Sequence, residues 1–99
     1  MSKAWPPKGP HEVLNYGFDW SPRELGSAID STTCVVKTGD VVVESHDQGP
    51  VEDAPAGSGT ITILSGGTLG SKAVLYLTVT TVDDLFFDQL VTIKIQERT

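Results

Sequence analysis

The stretch from Leu14 to Ser21, LNYGFDWS, decides the fold. Leu14, Tyr16, Phe18 and Trp20 alternate with Asn15, Gly17 and Asp19. Period two is the signature of a strand with one buried face. Three aromatics on that face are a heavy apolar load for a chain of 99 residues. The stretch is therefore read as a core strand.

Downstream, Ser21-Pro22-Arg23-Glu24 offers a capping serine, a proline at the first helical position and a glutamate three residues after the serine. Gly26 stops it, so one helical turn is expected. Residues 28–37, AIDSTTCVVK, are rich in β-branched side chains, and their apolar phase shifts between Ile29 and Cys34/Val36, which predicts a bulge or an irregular strand. Val41 to Val43 is a short strand, and residues 45–58 form a long acidic loop broken by Gly49, Pro50, Pro55 and Gly57. Thr60 to Leu64, Ala73 to Val82, and a segment holding Phe87, Val91, Ile93 and Ile95 complete the strands. Short strands at regular spacing, joined by Gly, Pro and Asp turns, predict an all-β, immunoglobulin-like antiparallel sandwich of about seven strands. Its expected inner faces are Leu14, Tyr16, Phe18, Trp20, Ile29, Ile61, Ile63, Leu75, Leu77, Val79, Val91, Ile93 and Ile95.

The length fits one domain. Residues 13–99 are assigned to the sandwich, and residues 1–12 to an extended proline-rich arm, because Pro6, Pro7 and Pro10 fix φ and lack amide donors. A net charge of -6 argues against a nucleic-acid partner and against an anionic membrane surface. Cys34 is the single cysteine, so no intrachain disulfide forms. No apolar run approaches the roughly 20 residues that span a bilayer, and the N-terminus lacks the apolar centre of a signal peptide. The chain is expected to fold in the cytoplasm.

Candidate chemistry is sparse. Gly66-Gly67-Thr68-Leu69-Gly70-Ser71-Lys72 has glycines like a phosphate loop, but Ser71 separates Gly70 from Lys72 and a strand follows instead of a helix. It is read as a turn whose glycines supply positive φ. Cys34, Glu44, His46 and Asp47 lack metal-site spacing, and Asp83, Asp84 and Asp88 lack a calcium-loop pattern. No catalytic set, cofactor site or metal site is expected. The candidate contact residues are Trp5, Pro6 and Pro7 in the arm and His46, Asp47, Pro50, Glu52 and Asp53 in the long loop. An aromatic on a proline arm suits a partner's groove, and a basic arm with Lys3 and Lys8 on an acidic body suits docking onto an identical neighbour.

Tyr16-Gly17-Phe18-Asp19-Trp20-Ser21 resembles the Y-x-F-D-W-S segment of a family of small tailed-phage virion proteins, the fiber–tail adaptors. Leu25 to Ile29, Ser31 to Val36, Ser65-Gly66-Gly67, Thr78 to Thr81 and Ile93 to Arg98 match further family pieces in the same order. The chain departs from the pattern at Ser27-Ala28, at Cys34, at the turn from Val82 to Phe86, and in the longer acidic loop 46–57. The resemblance implies a non-enzymatic virion component that attaches a fiber to the tail or neck. Its partners would be other virion proteins, in a symmetric multicopy set. A capsid decoration protein and a carbohydrate- or receptor-binding module are the alternatives, the latter needing Trp5, Tyr76 and Phe86 as a stacking platform.

Overall fold

The computed structural model describes residues 2–23, 25–52 and 54–97. These form seven strands in two packed sheets: β1 (Ser2–Ala4), β2 (Leu14–Asp19), β3 (Ile29–Thr38), β4 (Val41–Gln48), β5 (Gly59–Gly66), β6 (Lys72–Thr81) and β7 (Phe86–Lys94). One sheet has the order β1-β7-β6-β3 and the other β2-β5-β4. The expected helical turn is a single 3-10 turn at Ser21–Arg23. Every pairing is antiparallel except β1 with β7, which is parallel. The expected all-β sandwich of seven strands is present, and the one parallel pair arises because the N-terminal segment lies along β7 before β2 joins the other sheet.

The alternation of β2 survives intact. Tyr16, Phe18 and Trp20 are buried, while Asn15 and Gly17 are exposed. Trp20 is fully buried between the sheets, 4.7 Å from the Phe18 ring centroid. Its indole Nε1–H donates to Thr60 Oγ1 at 3.1 Å, which satisfies the one polar atom the ring carries inward. Leu77, Val79 and Val91 complete this half of the core. The other half gathers Leu64, Leu75, Ile93 and Ile95 around Tyr16.

In β5 the expected phase is inverted. Thr60, Thr62 and Leu64 are buried, whereas Ile61 and Ile63 are half-buried on the outer face. Residues paired across an antiparallel ladder share a face. Tyr16 pairs with Thr62 and Phe18 with Thr60, so the aromatic side of β2 fixes the threonines inward. The hydroxyls are tolerated because they bond to Trp20 and His46.

Strand β4 is longer than expected, running to Gln48, and its register shifts between Val43 and Ser45. The bulge at Glu44 changes which side chains face inward. Val41 is buried and Val43 half-buried before it, and His46 pairs with Thr62 after it. The irregularity predicted in β3 is present as a register shift between Ile29 and Ser31, and a second, unpredicted shift lies between Val36 and Thr38.

Candidate partner-binding surfaces

The residues read as a free arm are built into the sandwich. β1 pairs with β7, and Trp5 N donates to Thr92 O at 2.9 Å. The Trp5 ring stacks on Tyr16, with centroids 4.9 Å apart and planes 10° off parallel, and it packs against both halves of the core. Tyr16 Oη donates to Pro6 O at 3.2 Å. Of the three arm candidates, Trp5 and Pro7 are half-buried and Pro6 is exposed. Trp5 is thus a packing residue in this chain, not a side chain held out to a groove.

Lys8 corrects the picture of a basic arm. It is fully buried. Its backbone N donates to Lys94 O at 3.0 Å, and Gln96 N donates to Lys8 O at 2.9 Å. Its ammonium donates to Gly9 O at 2.7 Å and to Gly66 O at 2.6 Å. Burial lowers its pKa, and the Glu12 carboxylate opposes that shift. The lysine ties the N-terminal segment to the glycine turn after β5. At Gly67, φ is 105° and an added Cβ would stand 2.8 Å from Ile95, so the turn needs glycine.

The candidates of the long loop divide between two faces. Residues 49–52 fold over the outer face of the β2-β5-β4 sheet, where Val51 covers the glycines of the strands beneath. A Cβ added at Gly17 would meet Val51 at 3.2 Å, and one at Gly59 would meet it at 2.6 Å. Pro50 and Glu52 are exposed and, with Asn15, Gly17, Val51 and Ile61, line an open concavity of about 360 Å³. Asp47 is exposed opposite Ile61, and its Oδ1 accepts from Gln48 N at 2.7 Å. Asp53 lies outside the described residues.

His46 points the other way, into the space between β3 and β4, and this corrects its reading as a surface contact. Its Nε2 is 2.7 Å from Thr32 Oγ1, and its Nδ1 is 2.7 Å from Thr62 Oγ1. Thr32 Oγ1 already donates to Thr78 O at 2.8 Å. The Thr32 oxygen is then left to accept, which assigns the proton to Nε2 and makes Nδ1 the acceptor of the Thr62 hydroxyl. Burial lowers the His46 pKa, against the raising effect of Asp47. Cys34 lies nearby on the inner side of β3, and burial pushes its thiol up to about 11. A thiol of that kind is protonated at neutral pH and a poor nucleophile. Among the described residues, no group of three His, Cys, Asp or Glu is placed to hold a metal ion.

A family model described as podophage GP4 fiber-tail adaptor protein gp77 matches residues 8–94. The chain belongs to this family. No curated protein matches it. The matched span opens at Lys8 and closes at Lys94, the two residues joined by a backbone hydrogen bond. It takes in β2 to β7 and leaves β1 outside.

This fiber–tail adaptor family member has a second surface that sequence reading missed. On the outer face of β7-β6-β3, Val35, Tyr76 and Leu90 stand in register across three strands. Val35 is 52% exposed and Leu90 38%. Tyr76 Oη donates to Asp88 Oδ2 at 2.7 Å, and Lys37 Nζ lies 5.6 Å from the Tyr76 ring centroid. Arg23 Nη2 donates to Asp88 O at 2.9 Å. Arg23, Lys37, Tyr76, Asp88, Gln89 and Leu90 line an open concavity of about 470 Å³. The outward phase of β6 mixes Lys72, Val74 and Tyr76 with threonines, so the alternation marks it as an outer face but not as a contact surface. The proposed sugar platform does not form: Trp5 is packed on Tyr16, and Phe86 pairs with Thr80, four residues along β6 from Tyr76.

Proposed function

We infer that the chain is a non-enzymatic structural protein of the virion that joins a fiber or similar appendage to the phage tail, in several symmetric copies. The family match over residues 8–94 carries this reading. The surfaces are consistent with it: two broad sheet faces and shallow open concavities suit protein contacts more than enclosure of a small substrate. We read the strand order as immunoglobulin-like, with β2-β5-β4 in the places of strands B, E and D and β7-β6-β3 in those of G, F and C. Pro6, Asp47, Pro50 and Glu52 are the retained contact candidates, since they are exposed. The protein would fold in the host cytoplasm and enter particles there. Phage carrying a nonsense mutation in this chain tests the reading. The expected particles keep capsid and tail but lack fibers; particles that retain their fibers overturn it.

A further inference from the structure

The chain carries an excess of acid, yet its charge is not evenly spread. Four of its seven Lys and Arg residues, Arg23, Lys37, Lys72 and Lys94, border the outer face of β7-β6-β3. Lys72 and Lys94 face each other directly across β6 and β7, which disfavours the free sheet. The carboxylates in β3, β6 and β7 are the exposed Asp30, at the start of β3, and Asp88, already bonded by the Tyr76 hydroxyl, so cations outnumber them on this face. The opposite surface has the reverse character. β2, β4, β5 and residues 49–58 contain no Lys or Arg, and Asp19, Glu44, Asp47 and Glu52 lie on or over their outer face. Each face also has an apolar centre: Val35 and Leu90 on the basic one, Ile61 and Ile63 on the acidic one.

We propose that this chain docks on a second copy of itself, the basic outer face of β7-β6-β3 against the acidic outer face of β2-β5-β4. Like faces repel, so charge selects the head-to-tail contact over the two-fold one. A contact between two different faces closes into a ring or runs on as a filament. The molecule measures 41 × 24 × 22 Å, so each broad face has room for the roughly 800 Å² per partner of a standard interface. The apolar centres supply the burial and the charged borders the register. The proposal rests on the multicopy part of the adaptor reading. A chain that sits at the fiber–tail junction but stays monomeric in solution overturns this contact and leaves the adaptor reading standing.

Sedimentation of the purified full chain tests it. Wild type is expected to self-associate with a mass that rises with concentration. Its association constant should fall at least tenfold between about 0.1 M and about 1 M salt, as the screening length drops from about 10 Å to about 3 Å. Lys37→Glu with Lys94→Glu, and separately Glu44→Lys with Asp47→Lys, should each give a folded monomer by circular dichroism and sedimentation. Mixing the two variants should restore association, because each retains the face the other has lost. A wild-type chain that is monomeric throughout, or that associates without salt dependence, overturns the proposal. So does either folded variant associating as wild type does. The salt series on wild type decides the matter even if a variant fails to fold.

Discussion

Trp20 ends the alternation of β2 and is the largest fully buried side chain. Its removal would leave a void and strip Thr60 of its donor. Trp20→Ala should cost about 3–5 kcal/mol in urea unfolding, the range for core tryptophans. A variant with the wild-type midpoint would remove Trp20 from the core. His46 gives a prediction in pH. Burial lowers its native pKa from the usual imidazole value of 6.5, so the native chain takes the proton less readily than the unfolded one. The contribution to stability is therefore full above about pH 6.5 and is lost as the pH falls below it toward the native pKa. Melting curves at about pH 7.5 and about pH 5.5 should show this loss, and His46→Gln should reduce it. An unchanged slope in the variant would show that His46 does not carry the effect. The placements of His46 and Lys8 were not legible in the sequence. His46 turns inward because of a bulge at Glu44, and one of the two carbonyls that receive the Lys8 ammonium is on Gly66, 58 residues away.

Among the elements, β2, the 3-10 turn, the bulged β3, β6 and β7 were readable because local pattern and tertiary packing agree there. β5 was misread because both of its phases suit a strand. TITIL offers isoleucines on one side and threonines on the other, and the choice is made by pairing with Tyr16 and Phe18. Leu64→Ala should cost about 2–5 kcal/mol, while Ile63→Thr on the outer face should cost only about 0.5 kcal/mol, as surface changes do. Equal losses would contradict the assigned phase. β1 was missed because three residues carry too little pattern to mark a strand. Its docking makes the N-terminal segment a structural element. Deleting residues 1–7 should lower stability by about 2 kcal/mol or more, since it takes the Trp5 ring off Tyr16. A truncation as stable as the full chain would restore the view of a free arm.

For the whole molecule, family membership was legible from short motifs in the right order, because those motifs are the core strand and the glycine turn that hold the sandwich together. The surfaces were less legible. A net charge of -6 hides the separation of a basic face from an acidic one, since only sheet pairing decides which charges become neighbours. The fiber–tail adaptor reading draws on both levels: a family match for the role, and two contrasting sheet faces for the contacts. Cross-linking intact phage particles, followed by mass spectrometry of peptides from this chain, tests that role most directly. Cross-links to tail and fiber proteins are the predicted result. Cross-links confined to the capsid lattice would contradict it.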